Sequence, residues 1–131
     1  MKTVEDILMV KGPDVLVIDS DSTVLEAAEL MAHANAGSVI VREGGKAVGI
    51  FTERDLLRRI VAEHKDPAST QLSTVMSIPV KSCSLSDEIC ECARVLDESH
   101  IRHLAVIEDG ALIGVISQRD VQAAQLREAI L

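Results

Sequence analysis

The chain has 131 residues, which is enough for one compact domain or for two half-domains that share a core. Apolar residues make up 47 % and aromatic residues 1 %, so the core is expected to consist of aliphatic side chains. A formal charge of −8 argues against nucleic-acid binding, because phosphate contacts need a basic surface. No apolar run approaches the roughly 18 residues of a membrane span, and acidic residues stand where a signal peptide would be apolar. We therefore expect a soluble cytoplasmic protein with no membrane partner.

The first half of the chain predicts a helix, a strand and a second helix. The leading helix is expected at "VEDILM", and an extended stretch follows at Val15–Ile18. Asp21-Ser22 are plausible N-caps for the second helix. Its apolar residues show the i, i+3, i+4, i+7 spacing of an amphipathic helix, namely Val24, Ala27, Ala28 and Met31.

Two strands and a third helix complete the first half. The strands are expected at Ser38–Val41 and Ala47–Phe51, and the Gly-Gly pair in "EGGK" between them is a strong hairpin signal. The third helix starts at Thr52, with one apolar face consisting of Leu56, Leu57, Ile60 and Val61. The segment "HKDPASTQ" from His64 to Gln71 contains Pro67 and small polar residues, so it is expected to be a linker.

The same order of elements returns in the second half. Subtracting 49 from 114, the positions of two matching glycines, gives an offset of 65 that aligns Val15–Leu56 with Val80–Val121 without a gap. The predicted elements of the second copy are a helix at "LSTVM", a strand at Val80–Cys83, N-caps at Ser86-Asp87, a helix face of Ile89, Cys92, Ala93 and Leu96, strands at Leu104–Ile107 and Leu112–Ile116 around the Asp-Gly turn in "EDGA", and a helix from Ser117. The expected organisation is repeat 1 at 1–64, a linker at 65–71 and repeat 2 at 72–131.

Each copy carries one polar phrase at the junction of its last strand and last helix. The phrase reads Thr52-Glu53-Arg54-Asp55 in the first copy, and in the second it places Ser117, Arg119 and Asp120 at the matching positions. A hydroxyl followed three residues later by a carboxylate is the pattern of a capping box, which needs no ligand. The alternative is a binding site, because a helix N-terminus attracts anions and an aspartate can accept two hydrogen bonds from the vicinal diol of a ribose.

The order of elements, the length of about 60 residues per copy and the repeated G-h-x-[TS]-x-x-D phrase together resemble the CBS domain, named after cystathionine β-synthase. Two such domains in tandem resemble a Bateman module. The resemblance implies an α/β (α+β) fold in which the two repeats pack sheet to sheet with pseudo-two-fold symmetry. It also implies two clefts that bind adenosine compounds (AMP, ADP, ATP, S-adenosylmethionine or NAD) and the pairing of modules into a homodimer.

The resemblance also implies roles for individual residues. Asp55 and Asp120 would bind ribose hydroxyls, and Thr52 and Ser117 would contact ribose or phosphate. The adenine slot in this family lies after an "x-P" pair, which the second copy matches in Ile78-Pro79-Val80. The remaining candidates are Val15, which is the counterpart of Val80, Ser38, the phosphate donors Arg54 and Arg119, and the pair Arg102 and His103.

The two copies differ at several of these positions. The first has Asp14 where Pro79 aligns, with Pro13 one place earlier, and it has Gly37 and Ser38 where the second has Arg102 and His103. The second copy therefore offers more phosphate donors, and the site that contains Asp120 is preferred. An ion pair at the surface is the alternative role for Arg102.

Metal binding and catalysis are not indicated. Cys83, Cys90 and Cys92 align with Ile18, Leu25 and Ala27, so they are interpreted as small buried hydrophobic residues in a reducing compartment, without a disulfide. Their spacing from His100 and His103 is unusual for zinc. The sequence places no nucleophile beside a base in both copies, so no enzyme is expected.

The sequence therefore predicts a regulatory module that senses adenine nucleotides and signals to an unknown effector protein in trans, or through its own dimerisation. S-adenosylmethionine and NAD are the alternative ligands. A ligand-free oligomerisation or docking module, in which the motif aspartates only cap helices, is the alternative function.

Overall fold

The computed structural model describes residues 2–12 and 15–130; Pro13 and Asp14, where the two copies differ, lie outside the described residues. The chain forms two compact units. The first-sheet unit is Leu16–Val80, and the second-sheet unit combines Met1–Val15 with Lys81–Leu131. Each unit therefore contains the motif of one copy together with the segment that leads into the other copy.

The helices and strands in chain order are α1 (Val4–Lys11), β1 (Val17–Asp19), α2 (Val24–Ala34), β2 (Ser38–Glu43), β3 (Lys46–Thr52), α3 (Glu53–Asp55), a π-helix (Leu56–Val61), 3-10 turns at Pro67–Ser69 and Leu72–Thr74, β4 (Ser82–Cys83), α4 (Ile89–Ser99), β5 (His103–Glu108), β6 (Ala111–Ser117) and α5 (Gln118–Ile130). The sheets have the orders β1-β2-β3 and β4-β5-β6. In each sheet the first pair of strands is parallel and the second pair is antiparallel. The predicted mixed α/β fold with two repeats is confirmed.

Both predicted hairpins are present, and each of their strands is two residues longer than predicted. Gly44 and Gly45 turn the first hairpin with φ of 59° and 79°, and Asp109 and Gly110 turn the second with φ of 50° and 80°. Two successive residues with positive φ are the requirement of a type I′ turn, which explains the Gly-Gly and Asp-Gly pairs.

The caps predicted for α2 and α4 are wrong. The cap of α2 is Thr23, which forms a capping box with Glu26, and not Asp21-Ser22. The carbonyl of Ser22 instead accepts a bond at 2.9 Å from the N–H of Leu72, the first residue after the predicted linker. Before α4, Asp87 does not cap the helix because its carboxylate accepts a bond from the N–H of Ser84 at 2.8 Å.

The buried face of the third helix of the first copy contains fewer residues than predicted. Leu56 packs against the core and Ile60 is fully buried, whereas Leu57 is 61 % exposed and Val61 is 59 % exposed. Leu56 and Ile60 are four residues apart and share the inward face, and their C-terminal neighbours are rotated away from it. The four-residue face that was predicted for this helix is therefore wrong at Leu57 and Val61.

The opening glycine of each polar phrase lies where another segment approaches closely. A Cβ at Gly49 would lie 2.6 Å from the sulfur of Met76, and a Cβ at Gly114 would lie 3.0 Å from the methyl groups of Leu8. Leu8 is in α1, as the prediction of a leading helix requires. Met76 follows the turn at Leu72–Thr74, where the predicted helix "LSTVM" is only a single 3-10 turn.

The predicted linker is part of the first-sheet unit. The N–H of Val24 donates to the carbonyl of Thr70 at 2.9 Å, and Thr23 forms a β-bridge with Gln71. Leu72 and Val75 are buried in the core of that unit. Within the residues described, no helix is long and apolar enough to cross a membrane.

Candidate functional site

The motif of the second copy closes a capping box at the start of α5. The N–H of Ser117 donates to Asp120 Oδ2 at 2.8 Å, and the N–H of Asp120 donates to Ser117 Oγ at 3.1 Å. The N–H of Gln118 is also bonded, to the carbonyl of Arg102 at 2.8 Å. Several donors of this helix N-terminus are therefore already satisfied by the protein.

Lys11 is a partner of Asp120 that the sequence did not reveal. Its Nζ lies 2.7 Å from Asp120 Oδ2 and 2.6 Å from the carbonyl oxygen of Val115. Burial would raise the pKa of the Asp120 carboxyl, but the bonds from Lys11 and Ser117 outweigh burial and lower that pKa below its ordinary value. Asp120 is therefore a carboxylate held beside an ammonium group, and its side chain is still 24 % exposed.

The motif of the first copy has the same capping box but a different environment. The N–H of Thr52 donates to Asp55 Oδ2 at 3.0 Å, and the hydroxyl of Ser77 donates to Asp55 Oδ1 at 3.0 Å. Arg59 Nε lies 3.6 Å from the same Oδ1. Asp55 is the one buried charged residue among those that the structure describes. Both of its oxygens are engaged, so Asp55 is a structural anchor in this arrangement.

The strand register brings other predicted site residues to these motifs. Ser38 is paired with Thr52 across β2 and β3, and His103 is paired with Ser117 across β5 and β6. The carbonyl of Gly37 accepts a bond from the first N–H of α3 at 3.1 Å. The register therefore places Ser38 and His103 opposite the hydroxyl residues of the two motifs.

The predicted cationic and apolar site residues are distributed less evenly. Arg102 and Arg119 are exposed in the second-sheet unit, and Arg54 is partly buried in the first-sheet unit. Pro79, after a cis peptide bond, and Val80 fall in the first-sheet unit, whereas Val15 falls in the second. The structure thus assigns these apolar residues to the unit that contains the motif of the other copy.

The cysteines divide into two kinds. Cys83 and Cys92 are buried in the core of the second-sheet unit, as predicted, and the bond between them together with burial raises the pKa of the Cys83 thiol. Cys90 is exposed, so the prediction that it is buried is wrong. Its counterpart Leu25 is exposed too, with 41 % of its surface accessible, so this helix position faces outward in both copies. No group of three metal-ligating side chains occurs among the described residues.

Comparison with known proteins identifies relatives over most of the chain. The family model of the CBS domain matches residues 4–62 and 72–127. The CBS domain-containing protein CBSX3, mitochondrial, of Arabidopsis thaliana is 30 % identical over 135 residues, which cover 96 % of this chain and 66 % of that protein. The protein MK0525 of Methanopyrus kandleri is 34 % identical over 110 residues, which cover 82 % of this chain and 56 % of that protein. The chain therefore spans between half and two thirds of the length of these relatives.

Solved structures share the fold over nearly their whole length. The CBS-domain containing protein ATU1752 from Agrobacterium tumefaciens has a TM-score of 0.89 and 31 % identity, and the match covers 95 % of this chain and 93 % of that one. The CBS domain protein PAE2072 from Pyrobaculum aerophilum, complexed with AMP, has a TM-score of 0.82 and 26 % identity, with 98 % and 99 % coverage.

Proposed function

The chain belongs to the CBS-domain family, and its pair of CBS repeats forms a regulatory module. We propose that this module senses adenine nucleotides and that Asp120 binds the ribose. AMP, ADP and ATP are the proposed ligands. A bound nucleotide signals by favouring one conformation or oligomeric state over another, because it can shift such an equilibrium only by binding one state more tightly.

One observation carries this proposal. Within the described part of the chain, Asp120 Oδ2 accepts bonds from Ser117 and Lys11, while Oδ1 has no hydrogen-bonding partner. A partly exposed carboxylate oxygen is suited to accept a bond from a ribose hydroxyl, and a bond to a charged acceptor contributes roughly 1.5–3 kcal/mol. Asp55 offers no such oxygen, because Ser77 and Thr52 engage both of its carboxylate oxygens.

Charge supports the same choice of site. The second-sheet unit carries Lys11 on the motif carboxylate itself, and Arg119 lies between Ser117 and Asp120 in sequence. The carbonyl of Arg102 accepts a bond from the N–H of Gln118 in the same motif. Cations concentrated there would attract a phosphate in spite of the formal charge of −8. The AMP complex of the relative PAE2072 is consistent with a nucleotide as the ligand.

The test measures the thermal unfolding temperature of nucleotide-free protein, reported by an extrinsic dye, in the presence of AMP, ADP, ATP, NAD or S-adenosylmethionine. A ligand at 100 times its Kd adds roughly 2.7 kcal/mol of stability, a shift of several degrees for a chain of this size. We expect the shift with an adenine nucleotide to be lost in Asp120→Asn and kept in Asp55→Asn. Both substitutions preserve the side-chain shape, and circular dichroism would verify that each variant is folded.

Two other outcomes have definite meanings. A shift with NAD or S-adenosylmethionine alone would mean that this compound, and not AMP, ADP or ATP, is the ligand, while the proposed site at Asp120 would stand. No shift with any compound would favour a ligand-free oligomerisation or docking module, for which the complete capping boxes at both motifs are the supporting observation. We further propose a homodimer and an effector protein in trans, and sedimentation velocity with and without the ligand would test the dimer.

A further inference from the structure

A basic cleft of about 320 Å³ lies on the first-sheet unit, where the third helix meets the segment after the linker. Its lining residues are Arg58, Arg59, Glu63, Lys65, Thr74 and Val75. Three cations and one carboxylate therefore face a small open space in a protein whose formal charge is −8. An uncompensated group of cations in an acidic protein attracts anions through its local field.

Arg59 forms a fixed wall of this cleft. Its Nη1 donates to the carbonyl of Val75 at 2.9 Å and to the carbonyl of Met76 at 3.1 Å, and its Nε lies 3.6 Å from Asp55. These contacts hold the guanidinium in one orientation. A guanidinium that is already oriented loses less conformational entropy when it binds an anion.

The other two cations are uncompensated. Within the described residues, neither the guanidinium of Arg58 nor the ammonium of Lys65 has a hydrogen-bonding or ion-pair partner. Arg94, by contrast, is an exposed cation that is paired with both Glu91 and Glu98. Glu63 is the one opposing charge that lines the cleft, so a net positive charge remains available to a ligand.

Comparison of the two copies shows that the repeat does not require these cations. The offset of 65 places Ala123 at the position of Arg58 and Ala124 at the position of Arg59, within an uninterrupted α5. In the first copy the same stretch is a π-helix, in which the N–H of Ala62 donates to the carbonyl of Leu57 at 2.9 Å. π-Helical turns occur frequently at functional sites.

We propose that this cleft is a binding site for a small phosphate-bearing anion, separate from the ribose site at Asp120. Arg58 and Lys65 supply the charge, and the oriented Arg59 adds Nη2, the one nitrogen of its guanidinium that is not engaged by Val75, Met76 or Asp55 within the described residues. The volume of about 320 Å³ is sufficient for inorganic phosphate or pyrophosphate, and for the phosphate end of a nucleotide.

The experiment is isothermal titration of the full chain with pyrophosphate and, separately, with AMP. Arg58→Ala introduces the residue of the second copy at this position, and Lys65→Ala removes the second cation; each is expected to weaken pyrophosphate binding about tenfold. Lys46→Ala is the matched control, because Lys46 is an exposed lysine of the same unit that does not line the cleft. It is expected to bind as the wild type does.

The outcomes separate the sources and the alternatives. If Arg58→Ala weakens pyrophosphate binding, a free anion is sufficient as the ligand of the cleft. If Arg58→Ala weakens AMP binding and leaves pyrophosphate binding unchanged, the ligand is the phosphate of a nucleotide. The proposal is overturned if Arg58→Ala and Lys65→Ala both bind as the wild type does, or if Lys46→Ala weakens binding equally. Asp120→Asn is expected to retain pyrophosphate binding, so failure of the ribose site leaves this result interpretable.

Discussion

The ammonium of Lys11 and the carboxylate of Asp120 lie 2.7 Å apart although 109 positions separate them in the chain. The contact ties the last turn of α1 to the first turn of α5, within the second-sheet unit. It gives the motif carboxylate of the second copy an ammonium at hydrogen-bonding distance, whereas in the first copy Asp55 accepts a bond from the hydroxyl of Ser77 and has Arg59 Nε farther away, at 3.6 Å. This difference makes the two copies unequal in spite of their matching phrases.

Lys11→Met is expected to destabilise the protein by about 0.5–1 kcal/mol, because the pair is partly exposed and a surface ion pair contributes little. Unfolding in urea measures this change. Lys81→Met is the control, since Lys81 is exposed in the same unit and its side chain has no ion-pair partner within the described residues. An equal loss in both variants would show that the contact with Asp120 contributes no stability of its own.

Acid should abolish the stability that the ion pair between Lys11 and Asp120 contributes. The pKa of the Asp120 carboxyl is lowered in the folded protein, so the ion pair contributes stability above the unfolded value of about 3.9. That contribution is lost as the pH falls through the lower folded pKa. The difference in unfolding free energy between wild type and Lys11→Met should therefore be constant from pH 7 to pH 5 and shrink below about pH 4.

Asp6 provides an internal check on that measurement. The pKa of its carboxyl is lowered by bonds from the backbone of Lys2 and Thr3, so it also destabilises the fold in acid. This effect is present in both wild type and Lys11→Met and cancels in their difference. A difference that stays constant down to pH 3 would contradict the prediction for Asp120.

Alanine at the opening glycine of either phrase should be destabilising, because the added methyl group meets atoms of another segment. At Gly49 those atoms include the carbonyl oxygen of Ser77 at 3.1 Å, and overpacking of this kind costs about 1–3 kcal/mol. At Gly114 the nearest atoms all belong to the side chain of Leu8, with its two methyl groups at 3.0 Å. A double-mutant cycle of Gly114→Ala with Leu8→Ala should therefore show favourable coupling in urea unfolding, and strict additivity would contradict the contact.

The exposed side of the third helix can be tested with one matched pair. Ile60→Ala removes a fully buried side chain and should cost about 2–5 kcal/mol, whereas Leu57→Ala should change stability by less than about 0.5 kcal/mol. Urea unfolding of both variants measures these costs. A large loss of stability in Leu57→Ala would show that Leu57 belongs to the buried face of this helix, as predicted from the sequence.

Local patterns were sufficient for most of the fold. The hairpins were predicted because Gly44-Gly45 and Asp109-Gly110 meet a backbone requirement that few other residue pairs meet. The apolar spacing of α2 and α4 identified three buried residues in each helix, while the fourth predicted member of each face, Ala28 or Ala93, is only partly buried. The cap of α2 was predicted wrongly because Asp, Ser and Thr stand close together before this helix, and the choice of Thr23 depends on the bond with Glu26 and on the contact with the linker.

The sequence by itself determined the duplication, the order of elements and the positions of both motifs, because these depend on residue spacing within one copy. Only the tertiary structure decided what each motif carboxylate contacts. Lys11 and Ser77 come from segments that lead into the other copy, and no local pattern encodes which segment enters which compact unit. The basic cleft likewise depends on the π-helix beside the turn at Leu72–Thr74. Contacts between distant segments are selected by the packing of the whole unit, and spacing along the chain does not record them.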